Sequence, residues 1–421
     1  MPTDPPMGAA ISDIFARAVL DSRGNPTVEV DCFVDGLLAG RATVPSGAST
    51  GTHEAVELRD CGDKWMGRGV SKAVTNVNGE IRDALLGMDP AKQDEIDTAL
   101  IELDGTRNKS RLGANAILGT SMSCLRAAHP IDLWKKISAS GKTALPVPMM
   151  NILNGGAHAN SNVDVQEFMV IPHGFDNFSE ALRAGVEVYH SLKSILGDEN
   201  LLVGIGDEGG FTPNLPRNEE GLRYVLEAIN KAGYTEGKQI SIALDVAAQE
   251  FYDGSHYHID GIKLSGSELS KVYSNWIDDY PIVSIEDPFG EDDWGAWSEF
   301  TAREGQRIQI VGDDLYVTNQ SRLMRGIEES ASNAILIKLN QIGTVTETMQ
   351  VIETAKEAGF ATIISHRSGE TSDDIIADLA VGTHSGQIKT GAPARSDRTS
   401  KYNQLLRISE SGTPYYSLFQ R

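Results

Sequence analysis

The sequence predicts an α/β protein, a small N-terminal α+β domain followed by a (β/α)8-like barrel. Three observations predict it. Within residues 12–137, strand-like alternation comes first and helical patterns come after it, the segregated order of an α+β unit. Within residues 145–421, short apolar runs instead alternate with helical patterns. Those runs end in polar residues: Asp245, Glu286, Asp313, Lys338, His366 and Lys389. From Glu286 onward the spacings are 27, 25, 28 and 23 residues, each about one βα unit.

Taken in order, Ile14 to Val34 alternates, with Val28, Val30, Cys32 and Val34 on one face. The break Asp21-Ser22-Arg23-Gly24-Asn25-Pro26 reads as a hairpin connection. Val70, Val74, Val77, Ile81 and Leu85 form the stripe of an amphipathic helix, and two more helices fall within Lys92–Leu103 and Ala114–Ala128. Ser138 to Thr143, before Pro146-Val147-Pro148, reads as a linker. Barrel helices are marked by Leu182, Val186, Tyr189, Leu192 and Leu196, by Leu222, Val225, Leu226 and Ile229, and by Val345, Met349, Ile352 and Ala355 before Gly359. The run Ala334 to Gly343 reads as a buried parallel strand with Lys338 set near its end.

At 421 residues and 40% apolar content the chain can bury a large interior. Its formal charge of −22 excludes nucleic acid or an anionic membrane as a main ligand and suits a binder of cations. Cys32, Cys61 and Cys124 lack metal or disulfide spacing, there is no secretory leader pattern, and no apolar stretch is long enough to span a membrane. A cytoplasmic location is the expectation.

In a closed barrel Asp245, Glu286 and Asp313 converge. Carboxylates there cannot all stay ionised without a cation, and an all-oxygen set selects a hard ion such as Mg²⁺. A single acid at a strand end is ordinarily a helix cap or a rim ion pair; three on successive strands favour metal. Lys338 and Lys389 face the same point. A lysine pKa near 7 requires about 4 to 5 kcal/mol against the charged form, and one unit charge ~4 Å away supplies about 4 kcal/mol. Lys338 can therefore be a neutral base, or both lysines can be structural partners of acids. Gly204-Ile205-Gly206-Asp207-Glu208-Gly209 matches G-x-G-x-x-G only formally, because two acids would face a pyrophosphate. Flexible backbone around Asp207 and Glu208 suggests an acid held over a pocket. Gln166-Glu167 offers another carboxylate, and His158 lies in a glycine-rich turn.

Six stretches carry a specific resemblance: Asp21 to Thr27, Pro45 to Gly51, Gly206 to Gly210, Ser284 to Pro288, Ser365 to Thr371, and Gln387 to Gly391. In this order they resemble the enolase family, from about Ile14 to Ile408. The resemblance implies an enolase-type barrel with an antiparallel start and the reversible dehydration of 2-phosphoglycerate to phosphoenolpyruvate. It implies that Asp245, Glu286 and Asp313 hold one Mg²⁺, and that Ser49, on a glycine-rich lid, ligates a second as substrate binds. By the same resemblance Lys338 is the base, Glu208 the acid with Glu167 assisting, and His158 closes over the substrate. His366, Arg367, Ser368, Lys389, Gln166 and Ala48 are then substrate contacts, and the chain is at least a homodimer. Ala127 to Trp134 and Asp253 to Gly266 are shorter than the family pattern.

Two other readings compete. An acid-sugar dehydratase or racemase of the same superfamily would place a lysine pair or a His-Asp dyad on other strands. A binding-only protein would have lost one of these groups, and none is missing.

Overall fold

A computed structural model describes residues 9–47, 53–158, 161–202, 204–417 and 419. Alternation at the N-terminus becomes a three-stranded antiparallel sheet, β1 (Ile11–Leu20), β2 (Pro26–Val34) and β3 (Leu37–Thr43). The Asp21–Asn25 turn is closed by Asp21 Oδ1, which accepts the N–H groups of Arg23 and Asn25. The sequence reading did not separate β3 from β2; the Asp35-Gly36 turn, with φ positive at both residues, was its signal. Val28, Val30 and Cys32 are fully buried on one face against α4 (Ala114–Ala128).

The Val70–Leu85 stripe is one helical path but not one regular helix. α1 (Ser71–Asn76) passes through a π turn (Val77–Ile81) into α2 (Arg82–Leu85), because Gly79 leaves helical geometry. Val77, Ile81 and Leu85 are nevertheless all buried. α3 (Gln93–Asp104), α4 and α5 (Leu133–Ile137) complete this part. Arg126 pins it to the C-terminal part: its guanidinium donates to both Asp373 oxygens at 2.7 and 2.9 Å and to Asp374 at 2.9 Å.

The second part is a closed barrel of eight strands. β4 (Val147–Asn154) and β5 (Glu167–Pro172) open it, followed by α6 (Phe178–Asp198), α7 (Asn218–Lys231) and β6 (Ile240–Asp245). A small hairpin, β7 (Tyr257–Ile259) and β8 (Ile262–Leu264), precedes α8 (Gly266–Asp279) and β9 (Ile282–Glu286). Then come α9 (Trp294–Glu304), β10 (Gln309–Gly312), α10 (Gln320–Glu328), β11 (Ala334–Ile337), α11 (Leu339–Ile342) and α12 (Val345–Glu357). β12 (Ala361–Ser365), α13 (Ile375–Gly382), β13 (Gln387–Lys389) and α14 (Ser396–Ser409) close it. Oxygens of Asn177, Ser265, Asp293, Asn319 and Thr344 cap helix N-termini as such residues should.

β5 alone runs against its neighbours: β4–β5 and β5–β6 are antiparallel and the other barrel pairs are parallel. The barrel is filled, with Val147, Met149, Met169, Ile171, Ala243, Val311, Ala334, Leu336 and Ile363 packed inside it. Gln309 and Gln387, each first in its strand, exchange amide hydrogen bonds of 3.0 and 2.7 Å across the interior. The expected strand Ala334–Gly343 is corrected: it ends at Ile337. Thr318 Oγ1 accepts the Lys338 N–H at 3.0 Å, the chain turns into α11, and Gly343 at φ +99° stops that helix.

α7 packs its Gly221 on the Phe168 ring, where an added Cβ would lie 2.5 Å from Cζ and 2.6 Å from Cε1. Gly221→Ala should therefore destabilise the protein by about 1–3 kcal/mol, and a denaturant titration giving the parental midpoint would refute this contact as the reason for glycine.

Candidate active site

Strand direction explains which side chains meet. Asp245 and Glu286 end β6 and β9 and are register partners; Asp245 is also opposite Glu167, the first residue of β5. Because β5 is reversed, its first residue reaches the same rim as the others' last. Asp313, Lys338 and His366 come one residue after β10, β11 and β12, and Lys389 ends β13. A polar pocket at this rim is lined by Asp245, Asp313, Lys338, His366, Lys389, His158, Gln166, Glu167, Glu208, Arg367 and Ser368. Ala48 and Ser49 lie outside the described residues.

Lys389 is at the centre. Its Nζ lies 2.8 Å from Asp245 Oδ2, 3.0 Å from both Glu286 oxygens and 3.3 Å from Glu167 Oε2. Burial pulls its pKa down, but these carboxylates outweigh it and hold the ammonium well above its ordinary value. Even so, burial and the charges of Asp245 and Asp313 push Glu286 well above the usual carboxylate range. Gln166 Nε2 donates to Asp245 Oδ2 at 3.4 Å.

Asp313 takes the second lysine, with Lys338 Nζ 2.5 Å from its Oδ2 and Gln341 Nε2 donating to its Oδ1 at 3.0 Å. Burial pulls the Lys338 pKa down, yet the Asp313 carboxylate outweighs it and raises the ammonium above its ordinary value. The cations that would lower it, Lys389 and Arg367, are themselves neutralised by acids. Asp313, Asp314 and Asp287 present oxygens within 4.8 Å of one another. Asp314 is pushed up to about 7 by burial and by Asp313. Asp287, in the left-handed region at φ +44°, accepts the backbone N–H groups of Asp313 and Asp314 at 2.9 and 2.8 Å and so fixes the loop that carries them.

The opposite wall holds Glu167, Glu208 and His158, whose ligand atoms also cluster within 4.8 Å. His158 Nδ1 is 3.7 Å from Glu167 and 3.8 Å from Glu208. The loop bearing Glu208 is tied to β4, where Phe211 N donates to Ile152 O at 2.9 Å and Asn151 Nδ2 to Glu208 Oε2 at 2.9 Å. Burial raises Glu208, but His366, His158 and Arg398 overcome it and hold the carboxyl well below its usual range. Burial and the neighbouring Glu208 charge drive Glu167 the other way. The two neighbouring carboxyls are thus pushed in opposite directions, Glu167 up and Glu208 down. Two carboxyls driven apart in pKa are a common mark of acid-base chemistry.

Arg398 holds this side together. Fully buried, it donates to the carbonyls of Arg367 and Ser368 at 2.6 Å, to that of Asp207 at 3.0 Å, and to His366 Nδ1. His366 is therefore an acceptor there, with Nε2 3.5 Å from Glu208 Oε2, and burial pushes its pKa down to about 3. Arg367 is gripped by Glu54 at 3.0 and 3.3 Å and by Asn340 Oδ1 at 2.9 Å. The sequence reading missed Arg398, Glu54, Asp287 and Asn151. Asp287 had a signal in Glu286-Asp287-Pro288; Arg398 sits in the polar first turn of α14 and had none.

The pocket's donor set fits a hard divalent cation. Eight carboxyl groups line it against Lys338, Arg367 and Lys389, and every acid ligand offered is oxygen. Asp245 and Glu286 already surround a cationic nitrogen. Among the described residues no helix is long and apolar enough to cross a membrane.

Comparison with known proteins agrees with this geometry. Residues 11–132 match the family model "Enolase, N-terminal domain" and residues 142–415 match "Enolase, C-terminal TIM barrel domain". The chain is 56% identical over 405 residues to an enolase of Acidothermus cellulolyticus, covering 96% of this chain and 94% of that one. It is 54% identical over 405 residues to an enolase of Natranaerobius thermophilus, covering 95% of each. With both parts matched and the relatives covered almost end to end, the chain belongs to the enolase family.

Proposed function

We propose that the chain is a hydro-lyase that interconverts 2-phosphoglycerate with phosphoenolpyruvate and water, in glycolysis and gluconeogenesis, using Mg²⁺ held by Asp245, Glu286 and Asp313. The observation that carries this reading is the placement of base and acid on opposite walls. Lys338 follows β11, and Glu167 begins β5, four strands away around an eight-stranded barrel. An elimination that removes a proton from one face of a carbon pair and a hydroxyl from the other needs that separation.

Lys338 is assigned abstraction of the C2 proton. Glu208 is assigned protonation of the departing C3 hydroxyl, with Glu167 assisting it and His158 closing over the substrate. Lys389 faces the substrate carboxylate; Arg367 and Ser368 take the phosphate, with His366, Gln166 and Ala48 as further contacts. Bound Mg²⁺, which Asp245, Glu286 and Asp313 would hold, would supply positive charge against the second negative charge that forms on the substrate carboxylate. A second Mg²⁺, with Ser49 among its ligands, is assigned to the substrate-bound state. The assembly is a homo-oligomer, at least a dimer, and the location cytoplasmic; family membership and three free cysteines support these two assignments.

Phosphoenolpyruvate formation, followed by its ultraviolet absorbance, should vanish on exhaustive chelation and return with Mg²⁺. Undiminished turnover after chelation would overturn the metal assignment. Asp245→Ala, Glu286→Ala and Asp313→Ala should each weaken Mg²⁺ binding in calorimetry while the chain stays folded; unchanged affinity in all three would exclude them as ligands.

The two half-reactions separate by isotope exchange. Glu208→Gln should lose elimination by ~100-fold or more yet retain exchange of the C2 hydrogen with deuterated solvent, whereas Lys338→Ala should lose both. Exchange surviving in Lys338→Ala would assign the base elsewhere.

A further inference from the structure

We propose that Glu54 stands in for the substrate's phosphate: in the ligand-free site its carboxylate occupies the guanidinium edge of Arg367, and the incoming phosphate displaces it. This rests on the proposed function, in which Arg367 receives the phosphate. Glu54 Oε2 lies 3.0 Å from Arg367 NH1 and Oε1 lies 3.3 Å from NH2, a two-pronged contact. Both side chains are 5% exposed. The planar fork of a guanidinium suits two oxygens of a carboxylate or of a phosphate equally, so one edge serves either anion. A buried arginine stripped of its anion is strongly unfavourable, and the protein avoids this before substrate arrives by supplying one.

The displaced carboxylate has somewhere to go. The backbone beside it is fixed, since Ala55 N donates to Gln341 O at 2.8 Å, so only the side chain needs to rotate. Glu54 also lines a second cleft, which carries Arg107, Lys109 and Arg322. Within it Lys109 pairs with Glu347 at 2.9 Å and Arg322 with Asp292 at 3.2 Å, so a rotated Glu54 carboxylate would share these cations or meet Arg107. The exchange also reaches the catalytic lysine's partner, because Gln341 Nε2 lies 3.5 Å from Glu54 Oε1 and 3.0 Å from Asp313 Oδ1. Releasing Glu54 frees Gln341 to commit to Asp313.

A placeholder and a mere orienting partner predict opposite signs. If Glu54 only aims Arg367, its loss weakens phosphate binding; if it competes, its loss strengthens it. Inorganic phosphate should be titrated calorimetrically, with Mg²⁺ present, into the parent protein, Glu54→Gln and Arg367→Met. Glu54→Gln should bind phosphate about tenfold tighter. It should also melt at a lower temperature without phosphate and regain the loss with it. Equal or weaker phosphate binding by Glu54→Gln beside a binding parent overturns the placeholder and leaves Arg367 as the phosphate ligand. A parent that binds no phosphate, or an Arg367→Met variant that binds it as the parent does, overturns that assignment and the placeholder with it. If Glu54→Gln does not fold, Glu54→Asp, whose carboxylate is drawn back from the guanidinium, should shift phosphate affinity in the same direction by a smaller factor, and no shift overturns the proposal.

Discussion

Lys389 sets the terms for the rest of the site. Its ammonium touches carboxylates from three neighbouring strands, β5, β6 and β9, all buried to 3% or less. Taking a carboxylate out of water costs several kcal/mol even after relaxation, and nearby like charges add to it. A closed barrel makes the problem unavoidable, because strand ends that converge bring their last side chains within a few ångströms of one another. One ammonium among these acids makes their burial tolerable. It does not neutralise them, as the raised Glu286 and Asp287 show. The crowding of acids that burdens the fold is also what makes the donor set suit a hard cation.

The reversed β5 is the topological counterpart of that arrangement. In an all-parallel barrel the first residue of a strand lies at the floor, far from the chemistry. Reversal lifts Glu167 to the rim beside Asp245 and lets Asn154, at the end of β4, pair with it. The loop bearing Glu208 then attaches to β4 rather than to a βα connection, which places it over the wall facing Lys338. Glu167 and Lys338 are thus set on opposite sides of the barrel by strand order alone.

Much of this was legible because barrel geometry writes itself into spacing. The intervals from Glu286 to Lys389 gave the βα units, and polar residues ending apolar runs gave the rim. Strand ends were blurred by one residue at Asp313, Lys338 and His366, since a buried turn after a strand is as apolar as the strand, and Leu339 and Ile342 extend the run beyond Ile337. Charge states were not legible at all. Whether Lys338 is neutral depends on which oxygen sits 2.5 Å away, and Asp313 is 25 residues distant in sequence. Arg398 was invisible for a similar reason: in chain order it is one more charged residue opening a polar helix, and only the fold turns it inward.

Arg398 also shows how the loops of the site are held in place. The loops carrying Asp207-Glu208 and His366-Arg367-Ser368 end in carbonyls that no strand partners, and buried carbonyls without donors are costly. One guanidinium supplies donors to three of them and to His366 Nδ1. Asp287 does the converse on the other wall, accepting the two N–H groups of the Asp313–Asp314 turn. Each wall is therefore fixed by a charged side chain bonded to backbone of the neighbouring loop. The distances among the polar groups that line the pocket are then set by backbone pinned on both walls.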